Sequence, residues 1–360
     1  MIKKYCLFIP SLGGGGAEKV VALLANYLAK KENTEVFLVV LREEGKYWQL
    51  ISEKVKVVNL KQSRVLKSIL PFSSWIKDNK PDVIFSALSH VNVVAAIAKK
   101  MSRHQCKLIL SEHSTISQLS IMTNPIYRSI FKLFYSQADY IVAVSKGVMS
   151  DVLKTLKINP NKIIVINNPV CPNIYTSEKV NFIKYFNKNP GKVILSIGRL
   201  ESEKNYLNLL EAFRDLNNSD YYLVILGEGS ERKILEDYIL NNKLDDRVIL
   251  PGFVKDPFIW INSADLFVSS SNIEGFGNAI VEAMAYGLNI VSTDCVGPRE
   301  ILKDGELGLL VEKNNPKYLA EAIIKVLKET NLFDKDEIIN RANDFRENLI
   351  LSEYENIFEN

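Results

Sequence analysis

The segment from Asp265 to Ala285 constrains the fold of this chain most strongly. It opens with a short apolar run at 265–268, passes through a glycine-rich loop with Gly275 and Gly277, and ends in an apolar pattern with helical spacing. The order is therefore strand, glycine loop and helix. Glycine lets backbone N–H groups approach a ligand closely, and a helix start with free N–H groups binds anions, usually phosphate. We expect Asn278 to cap this helix, because asparagine is a favoured N-cap residue.

Two carboxylates flank the same loop. Glu274 lies within it, and Glu282 follows eight positions later in the predicted helix. Carboxylate oxygens accept hydrogen bonds in pairs, which suits the neighbouring hydroxyls of a sugar or a ribose. A phosphate-binding loop between two such carboxylates indicates a nucleotide-sugar site. The plain alternative is an ordinary helix start with two surface glutamates.

The spacing from Glu274 to Glu282 resembles the E-x7-E motif of retaining GT-B glycosyltransferases of family 4, also called group 1. The neighbouring Gly-Phe-Gly and Glu-Ala-Met-Ala runs are similar as well, and the resemblance extends along nearly all 360 residues. It implies an α/β protein of the GT-B class, in which two Rossmann-like doubly wound domains face each other across a cleft.

The resemblance divides the chain into three parts. Residues 1–172 are expected to form an N-terminal acceptor-binding domain, and residues 173–340 a C-terminal nucleotide-sugar-binding domain. Residues 341–360 are expected to form a helix that crosses back to the first domain, within one helical pattern from Ile338 to Phe358. The polar, irregular stretch from Cys171 to Pro190 indicates a linker. Strands alternate with helical patterns throughout, which favours parallel sheets covered on both faces.

Composition excludes several classes of protein and divides the chain by charge. A hydrophobic content of 47% and a charged content of 24% are typical of soluble globular proteins, and no apolar run is long enough to span a bilayer. The first 175 residues carry 24 lysines and arginines against 11 aspartates and glutamates, whereas the rest carry 21 against 31. The first half is therefore expected to face a membrane surface, a lipid pyrophosphate or nucleic acid. The plain alternative is solvated lysine on helix faces.

The first half contains another strand, glycine loop and helix, with glycines at 13–16. This loop lacks the spacing of a dinucleotide-binding fingerprint, which disfavours a dehydrogenase. The resemblance implies that Gly15 and Gly16 line the cleft near the donor phosphates. His113 directly follows a buried strand, at the end where α/β sheets bind ligands. It resembles the cleft histidine of the family, which contacts the transferred sugar or the acceptor; His90 is a weaker candidate.

A basic segment runs from Lys54 to Lys77. On a helical wheel Lys61, Arg64 and Lys67 lie opposite an apolar face, a pattern that suits an anionic membrane surface. A second segment at 127–135 adds aromatic residues. Both could instead be core-facing helices with lysine outside. In some relatives that act on polyprenyl carriers, a basic helix in this region holds the lipid pyrophosphate.

The second half restarts with a buried strand followed by Arg199 and Lys204. A leaving nucleoside diphosphate gains negative charge as the sugar bond breaks, and fixed cations stabilise that charge. The resemblance implies that these two residues hold the pyrophosphate in place of a metal. It also places Val254 at the uracil base and Arg299 near the donor or an acceptor phosphate. The single Asp-x-Asp motif, at 334–336, indicates the solvated start of a helix and not a metal site.

The function that the resemblance implies is retaining transfer of a hexose from a UDP-sugar to a glycan acceptor. N-acetylhexosamine is the favoured sugar, and the acceptor is expected on a polyprenyl pyrophosphate in bacterial surface-polysaccharide or glycoprotein-glycan assembly. The expected catalytic residues are His113, Arg199, Lys204 and Glu274. The expected donor-binding residues are Gly15, Gly16, Val254, Gly275, Phe276, Gly277, Asn278 and Glu282. The expected acceptor- or membrane-binding residues are Lys61, Arg64, Lys67 and Arg299.

No cofactor and no metal are expected beyond the UDP-sugar substrate. The expected location is the cytoplasm, at the inner face of the cell membrane, without nucleic acid as a partner. One alternative is a GT-B sugar-nucleotide epimerase, which needs no acceptor. Another is a non-catalytic nucleotide- or nucleic-acid-binding module that uses the basic half, although the chain lacks the interleaved aromatic residues of such modules.

Overall fold

The structure, a computed structural model, describes residues 2–172, 175–329 and 332–359. Within them the chain divides into two units. Unit 1 comprises the residues up to Pro169 together with those from Asn348 onward, and unit 2 runs from Val170 to Glu347. Residue 173, where the second predicted domain begins, lies outside the described residues. The predicted boundary at residue 340 differs from the observed one, which follows Glu347.

Strands and helices alternate along almost the whole chain. The strands are β1 (Lys3–Ile9), β2 (Thr34–Val40), β3 (Lys56–Asn59), β4 (Val83–Ala87), β5 (Lys107–Glu112), β6 (Tyr140–Ala143), β7 (Ile163–Val165), β8 (Lys192–Ile197), β9 (Tyr221–Leu226), β10 (Val248–Gly252), β11 (Leu266–Ser269), β12 (Asn289–Thr293) and β13 (Leu309–Val311). The helices are α1 (Gly16–Leu28), α2 (Ile69–Asn79), α3 (Ser89–Ser102), α4 (Pro125–Tyr135), α5 (Lys146–Leu156), α6 (Ile183–Phe186), α7 (Tyr206–Asp215), α8 (Arg232–Asn241), α9 (Phe258–Ile261), α10 (Asn278–Ala285), α11 (Val296–Ile301), α12 (Pro316–Lys328), α13 (Lys335–Asn343) and α14 (Glu347–Glu359).

Each unit contains one parallel sheet. In the described part of unit 1 the sheet has seven strands, in the order β3-β2-β1-β4-β5-β6-β7. In unit 2 the described strands form a six-stranded sheet in the order β10-β9-β8-β11-β12-β13. The strand order reverses between β1 and β4 in unit 1 and between β8 and β11 in unit 2. Doubly wound sheets bind ligands beyond the carboxyl ends of the strands at such points.

The end of the chain completes the core of unit 1. Tyr354 and Phe358 of α14 are fully buried, and the Phe358 ring lies 5.4 Å from that of Tyr5 and 5.7 Å from that of Phe85. The prediction of one helical pattern from 338 to 358 is wrong in one respect, because residues 344–346 separate α13 from α14. Phe345, within this break, is buried, and its carbonyl accepts hydrogen bonds from the N–H groups of Val170 and Cys171.

The predicted linker does not stay irregular. In its described part Phe182 and Phe186 are buried; Phe182 directly precedes α6, and Phe186 is its last residue. The Phe182 ring lies 5.9 Å from Trp260, and the Phe186 ring lies 4.8 Å from Tyr222. This segment therefore packs onto unit 2 through its aromatic side chains. Its polar composition did not predict that packing.

The predicted basic amphipathic helix is only partly formed. Residues 61–64 are not helical, residues 65–68 form a 3-10 turn, and α2 begins at Ile69. Leu66 and Leu70 are 71% and 68% exposed. The apolar face of the helical wheel is therefore not a core face at these two positions. None of the described helices is long and apolar enough to cross a membrane.

We expect Phe358→Ala to destabilise unit 1 by about 3–5 kcal/mol, since it removes a fully buried ring and leaves a cavity. The measurement is urea unfolding of the full chain in a Trp260→Phe background, in which Trp48 and Trp75 report on unit 1. Leu349→Ala on the same helix is the control, because Leu349 is 50% exposed and its loss should change stability by less than about 0.5 kcal/mol. Equal stability of the two variants would show that α14 does not contribute to the core of unit 1.

Candidate active site

The glycine loop of unit 2 joins β11 to α10. Gly277 has φ +116°, a conformation that side chains with a Cβ rarely adopt, which explains the glycine. Gly277 is also the N-cap residue of α10, so the prediction that Asn278 caps the helix is wrong: Asn278 is its first residue. A Cβ on Gly297 of α11 would lie 2.1 Å from the Phe276 carbonyl oxygen. The loop is therefore held by a close backbone approach from α11.

Lys204 and Glu274 form an ion pair. Their side chains are only 24% and 18% exposed, and the ammonium group lies in direct contact with the carboxylate. The Ser270 hydroxyl donates to the Lys204 carbonyl at 2.9 Å, and the Asn272 N–H donates to the Glu203 carbonyl at 2.8 Å. These bonds join the loop after β8 to the loop after β11. Two residues that the sequence predicted separately are thus brought together at the reversal point of the sheet.

The other predicted donor-site residues differ in exposure. Arg199 follows β8, is exposed, and has no hydrogen bond or ion pair from its side chain among the described residues. Glu282 is buried within α10, and Val254 lies half-buried two residues after β10. Arg299 pairs with Asp294 and, at 3.4 Å, with Asp304. The Arg299 guanidinium is therefore already engaged by two carboxylates.

Sequence reasoning missed a set of polar residues beside Lys204. The Asn205 side-chain amide donates to the Asn314 oxygen at 2.9 Å and to the Asn272 oxygen at 3.2 Å. Asn205 has φ +48°, so an asparagine next to the lysine was a signal for a left-handed turn. Burial raises the pKa of the Cys295 thiol, and the positive charge of Lys313, which follows β13, offsets part of this rise. A further cation therefore lies close to this loop.

In unit 1, the end of β5 carries Ser111, Glu112 and His113. Successive residues of a strand point to opposite faces, so Ser111 and His113 share one face and Glu112 takes the other. The Ser111 hydroxyl lies 3.1 Å from Nε2 of His113. Burial lowers the pKa of His113 to about 4, and its Nδ1 is buried without a hydrogen-bond partner among the residues described. The imidazole therefore favours the neutral form, and its Nδ1 atom is enclosed by the protein.

The glycine loop of unit 1 is covered by neighbouring side chains. Gly15 is the N-cap residue of α1, and Gly16 is its first residue. A Cβ on Gly15 would lie 2.4 Å from a carboxylate oxygen of Glu18. The loop at 44–47 closes over the other side, where Tyr47 donates to the Gly14 carbonyl at 3.3 Å. Glycine at position 15 therefore leaves room for the Glu18 carboxylate.

A cavity of about 500 Å³ opens beyond the carboxyl ends of β1 and β2. It is lined by Pro10, Leu41, Arg42, Ser63, Arg64, Val65, Leu66, Lys67 and His90. Arg64 and Lys67 were predicted from the sequence, whereas Arg42 and His90 were not assigned to this site. The side chains of Arg64 and Lys67 have no ion-pair partner in the part of the chain that the structure describes. Lys61 does not line the cavity.

No group of three or more histidine, cysteine, aspartate or glutamate side chains in residues 2–172, 175–329 and 332–359 could hold a metal ion. The cation-rich loops of both units offer anion sites instead. Arginine and lysine are the usual partners of phosphate oxygens.

Comparison with known proteins identifies the family. The model described as Glycosyltransferase Family 4 matches residues 14–173, and that described as Glycosyl transferases group 1 matches residues 177–348. A protein of Campylobacter jejuni, N-acetylgalactosamine-N,N'-diacetylbacillosaminyl-diphospho-undecaprenol 4-alpha-N-acetylgalactosaminyltransferase, is 30% identical over 92% of each chain. This chain belongs to the family 4, group 1 glycosyltransferases.

Two further similarities agree with this assignment. The GalNAc-alpha-(1->4)-GalNAc-alpha-(1->3)-diNAcBac-PP-undecaprenol alpha-1,4-N-acetyl-D-galactosaminyltransferase of Campylobacter jejuni is 27% identical to this glycosyltransferase, over 94% of this chain and 92% of the relative. The structure of Anabaena Alr3699/HepE in complex with UDP and glucose superimposes with a TM-score of 0.84 at 20% identity, over 99% of each chain. The prediction of an α/β protein of the GT-B class is thereby confirmed.

We expect His113 of this glycosyltransferase to stay neutral from pH 8 down to about pH 5, because its folded-state pKa is about 4. The imidazole carbon–proton resonances followed by NMR should therefore not shift over that range, and His113→Gln assigns them. Since the unfolded pKa is the ordinary value of 6.5, folding favours the neutral form. This contribution to stability is present above pH 6.5 and is lost as the pH falls toward 4. A titration midpoint of His113 near 6.5 would contradict its burial.

Proposed function

We propose that this glycosyltransferase transfers an N-acetylhexosamine from a UDP-sugar to a glycan carried on a lipid pyrophosphate, with retention at the anomeric carbon. The names of the two Campylobacter relatives support this donor and this class of acceptor, since both are N-acetylgalactosaminyltransferases that act on diphospho-undecaprenol glycans. The reaction belongs to bacterial surface-polysaccharide or glycoprotein-glycan assembly.

The Lys204–Glu274 ion pair carries the proposal. Two opposite charges are kept partly buried at the reversal point of the unit 2 sheet, with Arg199 exposed beside them. When a donor binds, Lys204 and Arg199 face the diphosphate, and Glu274 accepts hydrogen bonds from hydroxyls of the transferred sugar. The protein groups that would face the departing diphosphate are then cations, and we propose that no resident metal takes part.

The chemical step follows from those positions. The bond between the anomeric carbon and the diphosphate oxygen breaks, and the bond to the acceptor oxygen forms on the same face of the sugar. The acceptor proton passes to the leaving phosphate. Cations that contact the leaving group more strongly in the transition state than in the ground state accelerate the step.

We propose the remaining donor contacts for each unit separately. Glu282 holds the ribose, Val254 borders the uracil, and the glycine loop of unit 2 binds the diphosphate through its backbone, with Gly275, Phe276, Gly277 and Asn278 as contacts. Gly15 and Gly16 approach the donor phosphates from unit 1. His113 orients the reacting sugar through its neutral ring. Arg299 stays a proposed acceptor contact that would first have to leave Asp294.

The cavity in unit 1 is proposed to bind the pyrophosphate of the acceptor. Arg42, Arg64 and Lys67 supply positive charge, and His90 adds a hydrogen-bonding group whose pKa is lowered by desolvation. Leu41, Val65 and Leu66 supply an apolar wall for the first carbons of the lipid. A ligand with a doubly charged head and a hydrocarbon chain fits this mixture. Lys61 lies outside the cavity, and its proposed contact is the membrane surface.

An anionic membrane surface is the proposed location, at the inner face of the cell membrane. Ile126, Ile130 and Leu133 of α4 share one helix face, and all three are exposed, whereas Phe131 and Tyr135 are buried on the other face. Both α2 and α4 pack against α3. Exposed apolar side chains beside lysines suit the interface of a bilayer with anionic headgroups.

We expect Lys204→Ala to lower turnover by about 10²- to 10³-fold without unfolding unit 2, because it removes one contact to the leaving diphosphate. The assay is transfer from a panel of UDP- and GDP-sugars with excess chelator present. Lys192→Ala is the control, since Lys192 pairs with Asp265 at the opposite end of β8. Normal turnover by Lys204→Ala, or loss of wild-type turnover in chelator, would contradict the mechanism. Consumption of UDP-sugar without acceptor, with release of an epimer, would indicate an epimerase.

The acceptor site is tested with Arg64→Ser and Lys67→Ser combined. We expect KM for a lipid-pyrophosphate glycan to rise at least about tenfold, because each charge-assisted contact contributes 1.5–3 kcal/mol or so. Hydrolysis of the UDP-sugar without acceptor should be unchanged. Lys54→Ser with Lys77→Ser removes two positive charges from the same segment outside the cavity and should leave KM unaltered. Equal effects of the two pairs would show general charge attraction and not a pyrophosphate site.

A further inference from the structure

A buried carboxylate lies directly before His113. Glu112 is fully buried at the end of β5, and both of its oxygens accept hydrogen bonds. Asn92 donates to Oε1 at 2.9 Å, the Tyr135 hydroxyl donates to the same oxygen, and the Ser89 hydroxyl donates to Oε2 at 2.7 Å. No cation pairs with Glu112 among the residues that the structure describes. Burial is the main cause that raises the pKa of this carboxyl to about 7.

The partners of Glu112 come from two different helices. Ser89 and Asn92 belong to the first turn of α3, and Tyr135 is the last residue of α4. Asn92 is fixed further, because its amide also donates to the Ser111 carbonyl at 2.9 Å, and its oxygen accepts from the Ser86 hydroxyl at 2.6 Å. A single carboxylate therefore connects the start of α3, the end of α4 and the strand that carries His113.

The turn that Glu112 holds is strained. Leu88, the N-cap residue of α3, has φ +82° and ψ 130°, which is costly for a bulky residue. Such conformations persist only where the surroundings impose them, and they concentrate at functional sites. The bonds from Ser89 and Asn92 to Glu112 hold the residues that follow Leu88. His90, which lies between Ser89 and Asn92, lines the cavity proposed for the acceptor.

We propose that Glu112 is a positioning residue of this glycosyltransferase, and that its ionised form sets the active arrangement of His113 and of the cavity wall at His90. The inference rests on the roles proposed above for His113 and for the cavity. All three partners can donate, so the ionised carboxylate has a donor for each of its hydrogen bonds. Glu112 touches neither substrate itself and acts through its two neighbours.

Protonation would reverse one hydrogen bond. When a proton from solvent binds Glu112, the carboxyl donates to the Tyr135 oxygen and no longer accepts from it. The Tyr135 hydroxyl must then donate elsewhere, and the Ser89 carbonyl lies 3.4 Å away. The end of α4 and the start of α3 would shift together. Two titratable groups act on Glu112, namely Tyr135 of α4 and Asp151 of α5. Asp151 raises the pKa of Glu112 further. The two partners on α3, Ser89 and Asn92, are uncharged.

The pH dependence of transfer tests this proposal. Because the ionised form is the active one, wild-type kcat should rise with pH about a midpoint near 7. Glu112→Gln mimics the protonated carboxyl, so it should abolish this rise and lower kcat at pH 8 by up to about 100-fold, as small misplacements do. KM for the UDP-sugar should stay within about twofold of the wild-type value. Glu32→Gln, at an exposed carboxyl between α1 and β2, should retain the wild-type profile.

Tyr135→Phe separates positioning from mere structural support. It removes one donor from the ionised carboxylate and keeps the ring that stacks on Phe131. The midpoint should therefore move upward by about one pH unit, since loss of a hydrogen bond to the charged form raises a carboxyl pKa. A uniform loss of activity at every pH, with the midpoint unmoved, would overturn the proposal.

A readout independent of turnover is the infrared band of a protonated carboxylic acid. In the wild-type chain this band should include a component that disappears about pH 7 and is absent from Glu112→Gln. The same component in Glu112→Gln, or the absence from the wild-type chain of any component that titrates near pH 7, would overturn the inference about Glu112. If the protein turns over no sugar nucleotide at all, the proposed function fails. The infrared titration of the wild-type chain and of Tyr135→Phe then still tests whether Glu112 loses its proton near pH 7 and whether Tyr135 lowers that midpoint.

Discussion

The hydrogen bonds between the loop after β8 and the loop after β11 are the interaction on which the proposed donor site of unit 2 depends. They cross the point where the strand order of unit 2 reverses, and they bring Lys204 next to Glu274, although seventy positions separate the two residues. Asn205 extends the same connection to the loop after β13 through Asn314. A cation and a carboxylate are thereby held at fixed positions before any ligand arrives, so little reorganisation is needed during the reaction.

The two units depend on the C-terminal segment in different ways. Arg341 of α13 donates to the carbonyls of Glu300 and Ile301, which fastens that helix beneath α11 in unit 2. The next helix, α14, belongs to unit 1 and supplies Tyr354 and Phe358 to its core. The short break at residues 344–346 separates the helix that packs in unit 2 from the helix that packs in unit 1.

Much of the architecture could be predicted from residue patterns. Strands of a parallel sheet covered on both faces are continuous apolar runs, and the run at 265–268 predicted β11 to within one residue at each end. The three-residue strand β7 is too short to give that signal. Helical periodicity left open whether Leu66 and Leu70 face the core or the surface, because it shows which residues share a face and not whether anything covers that face; both are exposed. Arg42 and His90 were missed at the cavity because single residues on separate segments form no local motif.

The sequence by itself determined a strand, a glycine loop and a helix with Glu274 and Glu282 at the spacing of the E-x7-E motif, and this local pattern carries the resemblance to GT-B glycosyltransferases. Only the tertiary structure decided which distant residues meet. The Lys204–Glu274 pair, the cavity beside Arg42 and the hydrogen bonds of Glu112 each join residues from separate strands or helices. The physical reason is that local spacing fixes the direction of a side chain, whereas its partners depend on how the strands are ordered in the sheet and which helices cover them.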